Sequence, residues 1–282
     1  MHTMFRALFS ICLAICCGIS LTAIAGDLAS DVRKGASGPD SGNGGYLEVG
    51  GGLMTYTSPF YGTPEGNKKD EVHTELFVDI SARYQYNGWF VEVFSQSPEE
   101  FTLGYNFYNG SNWSVDLVGL SAHEEMDEDT SKDFRGLNRR RFDFLVGPRG
   151  TAYLGNYIVQ VHALKDIWST HEGELYSFKL ARHWQVRNLN FHAIVGATYR
   201  TQKVMDYYYS IEADEATEKF PEYTAPGGMS YIFEVGATYP LSESWVFRGF
   251  IRSVQLDTDF VDSPLILDDH GEMIATAISY VF

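Results

Sequence analysis

Residues 189–200 read LNFHAIVGATYR. Leu189, Phe191, Ala193, Val195, Ala197 and Tyr199 alternate there with Asn190, His192, Ile194, Gly196, Thr198 and Arg200. A period of two sends successive side chains to opposite faces of a strand, whereas a helix repeats its apolar residues at three and four. The same alternation runs through 75–84, with Leu76, Val78, Ile80, Ala82 and Tyr84 on one face. It returns at 229–240, with Met229, Tyr231, Phe233, Val235, Ala237 and Tyr239 on one face and Glu234 on the other.

Working outward, the period predicts about twelve strands: 46–56, 75–85, 89–95, 101–108, 113–121, 141–147, 151–164, 174–184, 189–200, 229–239, 244–254 and 271–282. Short turns at 86–88, 109–112, 148–150, 185–188 and 240–243 alternate with long polar connections at 57–74, 122–140, 165–173, 201–228 and 255–270. Only the short link 96–100 interrupts this order. Outer-membrane barrels are organised in this way, with short periplasmic turns and long external loops. No helix is expected after the leader, and no apolar run reaches the length of a membrane helix in the mature chain. Trp89, Trp113, Trp184 and Trp245 all fall beside short turns, where an amphipathic ring suits the headgroup level.

The 282 residues carry 21 Lys and Arg against 37 Asp and Glu, a net charge of -16 that argues against a nucleic-acid partner. Phe 19, Tyr 18 and Trp 5 with Gly 27 suit many short strands. The three cysteines, Cys12, Cys16 and Cys17, precede everything that is read as strand, so no disulfide framework, thiolate zinc site or cysteine nucleophile is expected.

Residues 1–25 read as a signal peptide: Arg6 precedes an apolar run over 7–21, and Ala23-Ile24-Ala25 supplies small residues for cleavage between Ala25 and Gly26. Residues 26–45 read as a flexible periplasmic leader with almost nothing to bury, and 46–282 as the barrel. The Gly50-Gly51-Gly52 run lies in a strand pattern and lacks the Lys-Ser/Thr of a phosphate loop.

Ile274, Thr276, Ile278, Tyr280 and Phe282 share one face of the last strand. This resembles the C-terminal signal by which bacterial outer-membrane proteins engage the barrel-assembly machinery, carried here by Ile278, Tyr280 and Phe282. The reading is an all-β, transmembrane, antiparallel up-and-down barrel with both termini periplasmic, in the outer membrane of a Gram-negative bacterium. It would sit among outer-membrane lipid and lipopolysaccharide; a soluble periplasmic β-sandwich is the alternative.

Further along, Asp206-Tyr207-Tyr208-Tyr209-Ser210-Ile211 is followed by Pro221-Glu222-Tyr223, Gly227-Gly228 and Asp262-Ser263-Pro264-Leu265. These resemble the tyrosine-rich loop, the Pro-x-Tyr approach and the Ser-Pro-Leu step of the MipA/OmpV family. Ser210 stands where that loop usually has Gly. The resemblance implies a small outer-membrane barrel. It also implies a scaffold linking a murein-cutting lytic transglycosylase to a murein synthase.

Eight histidines show no metal-binding spacing, and no G-x-S-x-G elbow places a nucleophile, so no catalytic residue, cofactor or metal is expected. The acidic run 124–129 lacks the turn glycine of a calcium loop and reads as a solvated outer loop. Asp79, Arg83, Glu92, Lys179, His192, Glu234, Arg248 and Arg252 are candidate lumen residues of both signs, and Glu234→Gln is expected to cost much less than Phe233→Arg unless Glu234 is paired with an inward Arg such as Arg248. Mixed charges brace a narrow interior better than they select one ion. A non-enzymatic scaffold is therefore favoured over a narrow small-solute channel, with a surface adhesin or receptor using loop 201–228 as the third reading. Deleting Phe282 is expected to leave export intact and impair insertion; normal heat-modifiable barrel in the outer membrane after the deletion contradicts the assembly signal.

Overall fold

The structure is a computed structural model that describes residues 28–39, 42–62, 68–95, 97, 100–123, 125–129 and 131–282. The proposed signal peptide and the Ala25–Gly26 cleavage site lie outside the described residues.

Twelve antiparallel strands among the described residues close into one barrel: β1 Gly44–Tyr56, β2 His73–Tyr86, β3 Trp89–Phe94, β4 Phe101–Asn109, β5 Trp113–Leu120, β6 Leu145–Leu154, β7 Tyr157–Asp166, β8 Glu174–Val186, β9 Leu189–Arg200, β10 Gly228–Pro240, β11 Trp245–Leu256 and β12 His270–Val281. Each pairs with its sequence neighbours, and β1 pairs with β12 from Glu48↔Val281 to Tyr56↔Met273 to seal the wall. Closure gives every strand two partners, as a spanning sheet in hydrocarbon requires. At the seam, a Cβ on Gly52 would lie 2.3 Å from the Thr276 carbonyl oxygen, and the Phe77 ring folds into the space that a side chain would take.

The alternation seen in the sequence sorts the wall. Leu76, Val78, Phe233, Val235, Ile251, Ile274 and Ile278 point outward and are exposed, as a lipid-facing belt must be. Trp89, Trp113, Trp184 and Trp245 ring the end with the short turns, and Trp168 stands at the opposite end. Both β1 and β12 have their outer ends at the turn end. The long connections gather at the other end and fold into a cap. Its apolar centre joins Val204, Met205, Tyr208, Tyr209, Leu256 and Phe260. A second cluster joins Tyr61, Phe134, Ile211, Phe220 and Leu265.

Three expectations need correction. The segment 26–45 is not a bare flexible leader: helix α1, Leu28–Lys34, is buried inside the barrel. Leu28, Ala29 and Val32 form an apolar stripe that packs on Tyr153, Ile158, Ala181 and Ile194. So short a helix is marginal alone, and the barrel wall supplies its stability.

The β6–β7 turn falls at Gly155-Asn156, not at 148–150, and 141–144 precedes the strand. Pro148 sits inside β6 because the ladder to β7 passes from Val146↔Lys165 to Arg149↔His162, leaving no pairing that needs its missing N–H. Helices do occur after the leader: α2 Gln202–Tyr209 and α3 Thr258–Val261. Val204, Met205, Tyr208 and Tyr209 share the buried side of α2, a helical spacing hidden in residues that otherwise favour strands.

Phe233 is 49% exposed while Glu234 beside it is buried. Phe233→Arg puts a charge among lipid and is expected to cost about 2–4 kcal/mol. Glu234→Gln strips a carboxylate from buried cations and is expected to cost about 3–5 kcal/mol. Urea unfolding in lipid vesicles measures both; wild-type stability for Phe233→Arg means that this face never meets lipid.

Candidate functional site

Inward positions on β1, β2, β3, β5, β6, β10 and β11 carry charge, and the chain satisfies those charges with ion pairs and hydrogen bonds. Arg149 on β6 donates to Glu92 on β3 (2.9 Å) and to Asp116 on β5 (3.0 Å), while Arg83 on β2 takes the other side of Glu92 at 2.6 Å. Across the lumen, Glu234 on β10 receives Arg252 at 2.7 Å, Arg33 of α1 at 2.8 Å and the His192 ring at 3.0 Å. Arg248 pairs with Glu48 of β1, so the partner of Glu234 is Arg252, its register neighbour, and not Arg248. Asp79 accepts from Ser279 at 2.5 Å and from Ser95 at 3.1 Å. Lys179 is half-buried on the inward side of β8.

The plug is tied into this frame. Tyr153 donates to Asp31 at 2.5 Å, Ser30 meets the Tyr46 hydroxyl at 2.9 Å, and Asn190 donates to the carbonyls of Val32 (3.0 Å) and Arg33 (2.7 Å). Asp31 is wholly buried, and Glu92, Arg149, His192 and Glu234 nearly so. In a water-filled pore these charges would face solvent. Here they are desolvated, which is tolerable only because each ion has its partners.

At the loop end, the tyrosine-rich segment becomes the inner face of the cap. The Tyr208 ring stacks on His123 at 4.1 Å, and its hydroxyl donates to the Arg141 carbonyl at 2.7 Å. The Tyr207 hydroxyl accepts from the Arg141 N–H at 2.9 Å. Tyr209 packs on Phe260, and its carbonyl accepts from Ser263 at 2.6 Å. Ser210 donates to Asp206 at 2.7 Å and accepts from the Ala225 N–H at 2.8 Å, which ties the end of α2 to the returning loop. Tyr223 bridges to Ile211 and donates to the Asp259 carbonyl at 3.3 Å; Pro221 is exposed and Pro264 half-buried. Ile278, Tyr280 and Phe282 remain on the outer face of the closing strand, where Tyr280 packs edge-on against Trp245 and Phe282.

Sequence reasoning missed the polar centre of the cap. Asp143 is fully buried and accepts from the N–H groups of Ala122 (2.8 Å) and His123 (3.2 Å), from the His123 ring at 2.7 Å and from the His171 ring at 3.3 Å. His171 Nδ1 accepts from the Gly173 N–H at 2.9 Å, which makes its Nε2 the donor. Nε2 of His123 has no hydrogen-bond partner. Beside this cluster, Arg140 forks onto Glu215 and also reaches the Ser210 carbonyl at 2.7 Å. A cleft of about 420 Å³ opens here between Arg139, Thr170, His171, Lys203, Tyr207 and Glu212.

Among the described residues, Asp70, Asp268 and His270 come nearest to a cation-binding set, but Lys69 already lies 3.0 Å from Asp268 and supplies the charge. Within the acidic run, Glu125 and Asp127 are held by Arg139.

Burial pushes the His123 imidazole below its ordinary 6.5, and the hydrogen bond to Asp143 offsets this only in part. Burial works against the Asp143 carboxylate, but its bonds from His123 and His171 outweigh it and hold the group well below the usual range. The unfolded cap therefore takes up protons that the folded cap refuses, first at His123 as pH falls below about 6.5 and then at Asp143 below about 4. Cap stability is expected to be greatest near neutrality and to fall in those two windows. Hydrogen exchange of 121–144 and 201–227 from about pH 7 to about pH 5, corrected for intrinsic rate, measures the first loss. His123→Gln removes that step; an unchanged step in that variant contradicts the assignment.

The family model for MltA-interacting protein MipA matches residues 49–282. The chain is 22% identical to outer membrane protein OmpV of Vibrio cholerae over 189 residues, covering 64% of this chain and 71% of that protein. It is 21% identical to the putative outer membrane protein YiaT of Escherichia coli K12 over 239 residues, covering 84% and 91%. Among solved structures, OprD of Pseudomonas aeruginosa superposes with a TM-score of 0.38 at 10% identity, covering 82% of this chain and 65% of that one. With the family match spanning almost the whole closed barrel, the chain belongs to the MltA-interacting protein MipA family and is an outer-membrane protein.

Proposed function

We propose that this protein is a non-conducting, non-enzymatic scaffold of the outer membrane, oriented with its short turns in the periplasm. The observation that carries the reading is the filled lumen: a helix and desolvated ion pairs occupy the space that a channel would keep for water. A passing ion would have to displace paired charges in a confined interior, at a cost of several kcal/mol per ion. The family's description names a partner, MltA, and supports a lytic transglycosylase as one enzyme held here; a murein synthase as the other rests on the family resemblance of the sequence alone. Because α1 is inside the barrel, the tether to those enzymes is not a loose leader. The turn-end rim takes that role: Asn87-Gly88, 110–112, Gly155-Asn156, Arg187-Asn188 and 241–244, with the strap 35–39 that leaves the plug.

The folded cap and its cleft favour a second reading, recognition of an external polar ligand, over the narrow channel. Planar bilayers containing the full mature chain are expected to stay electrically silent, and detergent-solubilised envelopes to yield murein enzymes on cross-linked pull-down. Steady single-channel steps would sink the scaffold reading. Capture that survives replacement of all the turn residues would remove the rim from it.

A further inference from the structure

The chain has a net charge of -16, yet residues 175–200, which form the β8–β9 hairpin, hold Lys179, Arg182, Arg187 and Arg200 and no Asp or Glu. Two of these cations are turned to the interior: Lys179 is half-buried on the inward side of β8, and Arg200 donates to Ser230 at 2.8 Å. Arg187 stands in the turn. Arg182 is exposed and shares the outward face of β8 with Tyr176, Phe178, Leu180 and Trp184. Lys165, Glu174, His270 and Glu272 also stand at outward strand positions, but all four lie at the loop end. Among the described residues, Arg182 is therefore the one charge that the strands turn to lipid near the short turns.

Its surroundings are aromatic. Tyr157, its register partner on β7, is the first residue after the Gly155-Asn156 turn, which sets Arg182 at the depth of the aromatic girdle. The guanidinium carbon lies 5.0 Å from the centre of the Tyr157 ring and 5.8 Å from that of Trp184, and Trp184 in turn stacks on Phe191. Rings hold a guanidinium by its face, whereas its N–H donors lie in the plane and match the oxygens of a phosphate in pairs. No carboxylate pairs with Arg182 among the described residues, so that edge is open to an anion. Deeper in the wall, Leu180, Phe178, Val161 and Val195 continue the same outward face without a polar side chain, and Phe178, Val161 and Val195 are each more than 40% exposed. A phosphate at Arg182 thus has a hydrocarbon track leading away from it, which a free oxyanion would not use.

We propose that Arg182, set between Tyr157 and Trp184, is a binding site for the phosphate of an anionic phospholipid in the periplasmic leaflet, with an acyl chain lying along Leu180, Phe178, Val161 and Val195. A net anionic lipid is the better fit because no acidic side chain of the hairpin offsets the cation. Which leaflet supplies the lipid rests on the orientation proposed above, whereas retention of the lipid depends on the site alone.

Native mass spectrometry of the full chain in detergent tests this with phosphatidylglycerol and phosphatidylcholine of the same acyl chains, heat-modifiable migration confirming the barrel in every variant. The wild-type chain is expected to retain one phosphatidylglycerol about tenfold more tightly than phosphatidylcholine, the loss or gain of one charge-assisted contact. Arg182→Gln is expected to abolish that preference, and Arg187→Gln, which removes the cation of the turn, to keep it. Excess inorganic phosphate is expected to leave the lipid in place. Equal retention by wild type and Arg182→Gln overturns the proposal, and so does an equal loss in Arg187→Gln, which would make the effect one of diffuse charge. Displacement by inorganic phosphate also overturns it, because a free oxyanion would then suffice. Protease accessibility of the turns in intact cells reads the orientation separately: cleavage there from outside moves the lipid to the other leaflet and leaves the site standing.

Discussion

A backbone in hydrocarbon must bond to itself, and in this chain that constraint is met by sealing β1 against β12. Closure then creates a second demand. A twelve-strand wall encloses a space, and the inward half of every alternating strand must be satisfied within it. The solution is polar and fully occupied: Glu92 serves Arg83 and Arg149, while Glu234 serves Arg252, Arg33 and His192. These pairs are weak evidence of stability in themselves, since two desolvated ions recover little net energy. What they impose is specificity. Removing one partner strands the other, so the arrangement tolerates one register and one position of the plug.

The plug joins the two halves of that network. Arg33 comes from the N-terminal helix, yet it completes the charge balance around a carboxylate 201 residues away. An acid set deep in a barrel wall thus has part of its counter-charge delivered by a segment that is not part of the wall. The cap repeats the device, with Asp143 drawing in His123 and His171 from two different connections and Arg140 gripping Glu215. Both ends of the molecule are therefore folded around buried carboxylates, and the apolar clusters of plug and cap pack over them.

How much of this was legible depends on how local the signal was. The strand alternation at 189–200 and 229–240 is a property of adjacent residues, so it places β9 and β10 almost to the residue. The inward position of Glu234 and the outward one of Phe233 follow from the same parity. Pro148 misled because a missing donor matters only where the ladder asks for it, and the pairing of β6 with β7 does not. The seven-residue α1 and eight-residue α2 were out of reach because neither has enough internal hydrogen bonds to hold a helix alone. Their stripes make sense only against Ile158 and Ile194, or against Leu256 and Phe260. The Asp143 cluster is likewise assembled from residues 20 and 28 positions away, with no spacing rule to announce it.

The strands differ in length around the wall, with β3 and β5 at 6 and 8 residues and β1, β2 and β8 to β12 at 12 to 14. A spanning strand needs about 9–11 residues when tilted. The bilayer around this protein therefore meets a low sector and a high sector on the same barrel. Lipids beside β3 to β5 must thin, or the whole cylinder must lean toward that side, to keep the apolar belt covered. Lipid packing around the protein is accordingly lopsided, with the acyl chains most disturbed beside β3 and β5.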